Sequence, residues 1–143
     1  MQSPVELNAA LRASGRKVTP QRELVVRILE GNETHPTAEA VYVSAVAHMP
    51  SISLKTVYSV LHDLADLGEI QVLDMGTGSS RFDPNVSDHH HLVCKRCSAV
   101  HDIHLRVEGL EVPPDQDRGF SVSSAEIVFR GLCSACLASS SSL

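Results

Sequence analysis

Four cysteines, arranged as two Cys-x-x-Cys pairs, constrain this chain more than any other feature. Cys94 and Cys97 form one pair, Cys133 and Cys136 the other, and together they use every cysteine in the 143 residues. Two such knuckles supply four thiolates that close a tetrahedral Zn2+ site with no open position, which makes the site structural. The composition makes such a staple consequential: with three Phe, two Tyr and no Trp, the core is aliphatic and modest. In a chain of this kind metal binding becomes part of the folding free energy. The competing reading, a thioredoxin-like redox pair, lacks the βαβ setting that motif occupies.

A chain of this length carries one domain or two very small ones. Nothing in it approaches the roughly 20 apolar residues of a membrane span. The opening "MQSPVELNAA" has neither the basic start nor the apolar stretch of a secretion signal. The expected location is therefore the cytoplasm, where thiols stay reduced and paired cysteines suggest metal. The formal net charge of −5 weighs against nucleic-acid binding. Residues 1–22, however, set Arg12, Arg16, Lys17 and Arg22 against Glu6 alone, a local net of +3. A small basic patch on an acidic body is compatible with DNA contact.

The first half reads as helices. "VELNAALRAS" has helical apolar spacing and stops near Gly15. Thr19 is placed as an N-cap and Pro20 as a first helical residue, ahead of an apolar stripe of Val25, Ile28 and Leu29. A third helix runs from Thr37 to about His48. The fourth has Ser53 as N-cap, Val57, Val60, Leu61, Leu64 and Leu67 on its apolar face, and Gly68 closing it. The period then changes to two, and "IQVLDMGTGSSRFD" predicts a hairpin turning through "GTGS". Helices followed by a hairpin outline a winged helix-turn-helix.

From Pro84 the pattern is strand-like. "HHHLVC" and "SAVHDIHL" are predicted to pair across "KRCS", with "EIVFRGLC" as a further strand. Pro113 and Pro114 exclude a helix interior between them. The expected fold class is α+β. A winged helix-turn-helix at 1–83 precedes a small metal-binding domain at 84–137, and residues 138–143 are expected to be disordered.

"DHHHLVCKRC", residues 88–97, sets three histidines just before the first knuckle. Side chains alternate faces along a strand. His89 and His91 then share one face while His90 and Cys94 share the other, so the first two serve a second centre. Asp83, Asp88, Asp102 and His104 are nearby candidates to complete it, with His35 a candidate from the first domain. Nitrogen and oxygen donors without sulfur favour Fe2+, Mn2+ or a similar ion. The plainer reading is a row of solvated strand histidines with nothing bound.

Over residues 8 to 137 the chain resembles the ferric uptake regulator (Fur) family of bacterial metal-dependent repressors. The resemblance rests on "KVTPQR" (17–22), "HPTAEAVY" (35–42), "SISLKTVYSVLHDLADLGEI" (51–70), "SSRFD" (79–83), "DHHHLVCKRC" (88–97) and "GLCSAC" (131–136). It implies an N-terminal DNA-binding domain, a C-terminal α/β dimerisation domain and a homodimer. It also implies structural zinc on Cys94, Cys97, Cys133 and Cys136, and a regulatory Fe2+ or Mn2+ on His35, Asp83, His89, His91 and Asp102. Metal there would draw the domains together and space the recognition helices across a palindromic operator.

Zinc-responsive members add a cysteine to the regulatory site, and none is spare here. Iron-responsive members have a glutamate where this chain has Asp83. "SSRFDPNVSDHHHLVC" most resembles the peroxide-sensing (PerR) branch, and the short, proline-broken "RVEGLEVPPDQDRG" resembles actinobacterial members. By that resemblance His35 or His89 is the residue oxidised when peroxide meets the bound iron. Some members use a histidine shortly before the last strand for a further site; "SVSSAEI" has none, so no such site is expected. His90, His101 and His104 are expected at the surface or as accessory ligands. For DNA, Ser53, Lys55, Thr56, Tyr58 and Ser59 lie in the first two turns of the fourth helix, which faces the major groove in this motif. Lys17 matches a family position that reaches the minor groove, and Arg16 and Arg22 are expected on phosphates. Two rival readings stand beside the peroxide sensor: an iron-, manganese- or zinc-responsive uptake repressor, and a zinc enzyme. The enzyme reading lacks an H-E-x-x-H or H-x-E motif.

Overall fold

The computed structural model describes residues 1–140. It divides into two compact units, Met1–Val86 and a second beginning at Ser87, so the division falls after Val86 rather than after residue 83.

The first unit contains α1 (Pro4–Ala13), α2 (Pro20–Leu29), α3 (Ala38–Val46), α4 (Leu54–Asp66), β1 (Gln71–Leu73) and β2 (Arg81–Asp83). Each helix starts where a hydroxyl side chain takes an otherwise orphaned N–H. Ser3, Thr19, Thr37 and Ser53 accept from Glu6, Arg22, Ala40 and Thr56 respectively. At α1 the cap is reciprocal, because Glu6 reaches back to the Ser3 backbone. Gly68, at φ +74, follows α4 in a conformation that a side chain would oppose.

The apolar faces converge on one core that includes Leu7, Leu11, Leu29, Val41, Leu61 and Leu64. Each such aliphatic group contributes about 1.5–3 kcal/mol when fully buried. On α2 the buried residues are Val25, Val26 and Leu29. Ile28, expected in the stripe, is only partly buried at the core's margin, and Val26 takes the interior place. The antiparallel β1–β2 ladder pairs Val72 with Phe82. Phe82, 2% exposed, is turned into the core.

The second unit is built on β3 (His90–Cys94), β4 (Val100–Ile103) and β5 (Val128–Gly131), in the order β4-β3-β5. The β3–β4 pairing is the expected antiparallel hairpin. β5 runs parallel to β3, His91 opposite Val128 and Cys94 opposite Gly131. The intervening residues 104–127 contain no helix or strand. A short helix, α5 (Ser134–Ser140), begins just after Cys133. It takes in residues 138–140, which were expected to be disordered; residues 141–143 of that tail lie outside the described residues. Among the described residues the unit's buried apolar groups are Val93, Cys94, Val100 and Cys136.

Candidate metal centres and DNA-reading helix

Parallel pairing brings the two knuckles together. Cys94 ends β3, Cys133 follows β5, and Lys95 N donates to Gly131 O at 2.8 Å where the two strands finish side by side. One sulfur from each of the four cysteines lies within 4.8 Å of the others. The Cys97 and Cys133 sulfurs are 3.7 Å apart. A tetrahedron with Zn–S of about 2.3 Å has an edge of about 3.8 Å, so the spacing fits zinc. The N–H of Cys133, 3.4 Å from the Cys94 sulfur, together with those of Cys97 and Arg96, pulls the Cys94 thiol down to about 5. A hydrogen bond with the Cys133 side chain, then burial and the neighbouring sulfurs, pushes Cys136 up to about 12. Thiols this close resist ionising together, and a divalent cation is what lets them do so.

In the first unit His35 and Asp83 meet, with Nε2 3.3 Å from Oδ2 and both side chains buried. His35 has φ +51, a left-handed conformation costing roughly 1–2 kcal/mol for a side-chain-bearing residue. The wing strand holds it there. Arg81 Nη1 donates to His35 O at 3.1 Å, and Phe82 N donates to Pro36 O at 2.9 Å. Asp83 then follows on the same strand.

In the second unit His89, His91 and Asp102 form another group. Asp102 Oδ1 lies 3.1 Å from His89 Nε2 and 3.3 Å from His91 Nε2, and the ladder sets His91 opposite Asp102. The outer ring nitrogens are committed elsewhere: His89 Nδ1 is 2.6 Å from Ser87 O, and His91 Nδ1 is 2.6 Å from Glu126 Oε1. Ser87 O can only accept, and a carboxylate accepts, so both Nδ1 atoms carry the proton. The Nε2 lone pairs then converge with the Asp102 oxygen. Separations near 3 Å are those of adjacent ligands on an ion held at about 2.1 Å. Imidazoles with Nδ1–H fixed by an oxygen are the usual form of metal ligands.

The other histidines divide. His101 and His104 are exposed, with the His104 ring centroid 5.8 Å from that of His89, while Asp88 is also exposed. His90 is half-buried and accepts from Ile127 N at 2.9 Å, so it is less open than expected. Sequence reasoning missed Glu126. Nothing local marks it, because its importance follows from the parallel pairing of β5.

Helix α4 presents Lys55, Tyr58 and Ser59 outward. Ser53 is occupied as cap and also donates to Thr56 Oγ1 at 2.9 Å. The Tyr58 hydroxyl donates to Glu39 Oε1 at 2.8 Å, which lowers the Glu39 carboxyl and raises the Tyr58 hydroxyl from their ordinary values. Lys17 is exposed. Arg22 points at α4, where it pairs with Asp63, and Arg16 Nε lies 3.8 Å from the same carboxylate. Arg22 thus ties the start of α2 to α4 through a half-buried ion pair.

A winged helix-turn-helix followed in the same chain by a four-cysteine cluster and buried histidine–carboxylate groups defines a metal-responsive DNA-binding regulator. The ferric uptake regulator family pattern matches residues 13–130, and the chain belongs to that family. It is 33% identical over 129 residues to the peroxide-responsive repressor PerR of Staphylococcus epidermidis, covering 90% of this chain and 86% of that one. Among solved structures it resembles a zinc-bound manganese uptake regulator, with 27% identity, a TM-score of 0.69 and coverage of 92% of this chain and 99% of the other. It shares its fold with the ferric uptake regulator of Helicobacter pylori, at a TM-score of 0.75, 20% identity and 95% coverage of both chains. The chain is accordingly a transcription regulator and not an enzyme. Zinc together with iron or manganese, the cofactors expected from the sequence, suit its sulfur and nitrogen–oxygen donor sets. No described helix is long and apolar enough to cross a membrane.

Proposed function

We propose that the chain is a homodimeric, cytoplasmic repressor that reports hydrogen peroxide through metal-catalysed oxidation of a histidine. The observation that carries this reading is the donor chemistry: buried imidazoles, buried Asp83 at the wing and half-buried Asp102, with no sulfur among them. The 33% identity to a peroxide-responsive repressor supports it.

In this reading Cys94, Cys97, Cys133 and Cys136 hold structural zinc. His35, Asp83, His89, His91 and Asp102 would hold Fe2+ or Mn2+. Fe2+ held there would supply the electrons for peroxide reduction, next to the imidazoles of His35 and His89. The residues around them do the rest. Arg81 and Phe82 keep His35 in its left-handed pose, and Ser87 fixes the His89 tautomer. Oxidation of either ring removes a lone pair that the ion needs. The first unit, as DNA reader, then loses its fixed placement on the second, as dimeriser. Repression ends because the two recognition helices no longer match half-sites one helical turn apart on a palindromic operator.

On DNA, Lys55 offers charge to guanine or phosphate, while Tyr58 and the Thr56 methyl suit thymine methyls. Ser53 and Ser59 border that surface, Lys17 reaches a minor groove, and Arg16 takes phosphate. Arg22 contributes by steadying α4 through Asp63. A second reading, a repressor that responds to metal supply, is favoured by the likeness to the zinc-bound manganese uptake regulator.

Mass spectrometry of the Fe2+-loaded protein after dilute peroxide separates the two. A gain of one oxygen on the peptide holding His35 or His89, with operator release, supports the sensor. An unmodified protein that keeps its operator through peroxide treatment makes it a metal-supply regulator.

A further inference from the structure

We propose that Glu126 is a positioning residue for the regulatory ion. It fixes the His91 tautomer and, through its negative charge, makes His91 the more strongly donating of the two neighbouring imidazoles. The inference rests on the regulatory-site reading above and goes beyond it by assigning a role to a residue in "SVSSAEI", where the sequence offered no ligand.

The geometry is specific. His91 is 1% exposed, yet its outer nitrogen is 2.6 Å from Oε1 of a carboxylate whose side chain is 40% exposed. Its neighbour His89 makes a contact of the same length to the neutral carbonyl of Ser87. The backing of the two adjacent rings therefore differs: His91 has a full negative charge behind it and His89 a dipole. An imidazole hydrogen-bonded to a carboxylate is a stronger base at its other nitrogen and binds a cation more tightly. Within the second unit Glu126 also adds a second negative charge, beside that of Asp102, close to the pair of histidines.

The fold explains how a residue 35 positions away reaches His91. β5 is parallel to β3 with Val128 opposite His91, so Glu126, two residues earlier, projects to the same face of the sheet as His91. His91 N donates to Ile127 O at 3.1 Å, and Ile127 N donates to His90 Nδ1 at 2.9 Å. Residues 126 and 127 thus clamp two successive histidines from backbone and side chain at once. Glu126 lies just outside β5, at the end of the irregular segment 104–127. Its carboxylate is the link by which that segment bears on the regulatory group.

The test is Mn2+ affinity of the full-length, zinc-loaded protein, measured by competition with a fluorescent chelator. Wild type is compared with Glu126→Gln, Glu126→Ala and His91→Ala, with zinc content and melting temperature recorded for each. Glu126→Gln keeps an acceptor oxygen and nearly the same shape while removing the charge. We expect it to weaken Mn2+ binding by about tenfold, the lower end of what loss of such a supporting partner costs. Glu126→Ala should weaken it further, with zinc content and melting unchanged in both. Glu126→Gln binding Mn2+ within a factor of two of wild type would overturn the proposal alone. Weaker Mn2+ binding accompanied by zinc loss and earlier melting would make Glu126 a fold residue, which also overturns it. A wild-type Mn2+ affinity that His91→Ala does not change would overturn the regulatory-site reading itself, a separate and recognisable failure.

Discussion

Stripping zinc from Cys94, Cys97, Cys133 and Cys136 should unfold the chain from Ser87 onward and leave Met1–Val86 folded. The second unit orders strands of five, four and four residues, at a backbone cost of about 1–2 kcal/mol per residue. That is on the order of 13–26 kcal/mol against folding. Besides its cysteines, its described buried apolar residues are Val93 and Val100, which return only about 3–6 kcal/mol. Structural zinc supplies about 10–16 kcal/mol, enough to close the gap and too much to lose. The first unit has a broad aliphatic core and needs no such help. Hydrogen exchange read by mass spectrometry gives the answer residue by residue. After chelation under reducing conditions, or in Cys133→Ser, the amides of His91, Cys94 and Lys95 should lose protection. Those amides donate to Ile127, Ala99 and Gly131 and so report the whole sheet. Amides of Val41 and Val57, inside helices of the first unit, should stay protected. Zinc-free protein that keeps its β3–β5 protection would show that the sheet stands without the metal, and the reasoning would fail.

Four further outcomes follow from the same structure. Phe82→Ala empties a core position and releases the strand that holds Pro36, so chemical denaturation of the first unit should show a loss of about 3–5 kcal/mol. Asp63→Ala strands the Arg22 guanidinium and should cost about 1.5–3 kcal/mol by thermal melting, and Arg22→Ala added to it should cost little more. Asp83→Glu should keep Mn2+ binding yet leave His35 and His89 less oxidised at equal peroxide, measured by the same peptide mass shift. Tyr58→Ala should weaken operator binding by about 1–3 kcal/mol in a fluorescence titration, whereas Tyr58→Phe should come close to wild type, since the ring is kept and the hydroxyl is already spent on Glu39.

Much of the first unit was legible because its signals are local. Ser53 announces a helix start by its chemistry, and the wheel of Val57, Val60, Leu61 and Leu64 announces which face turns inward. The hairpin showed itself as a change of period from 3.6 to two. Alternation along residues 89–94 separates His89 and His91 from Cys94. What escaped was long-range. Arg22 reads as a basic residue in a basic patch, and only folding reveals Asp63 opposite it. α5 runs into a serine-rich tail that looks unstructured, but the helix begins just after Cys133, whose sulfur lies 3.7 Å from that of Cys97.

The sequence by itself determined the donors, four sulfurs in two knuckles and imidazoles and aspartates without sulfur, as well as the one helix that carries Lys55 and Tyr58. Donor type and short-range spacing are written residue by residue, so they can be read without a fold. The tertiary structure alone decided that β5 runs parallel to β3, because strand order depends on the packing of segments far apart in the chain. That one pairing sets Cys133 beside Cys97 and Glu126 beside His91, two contacts that no local pattern encodes.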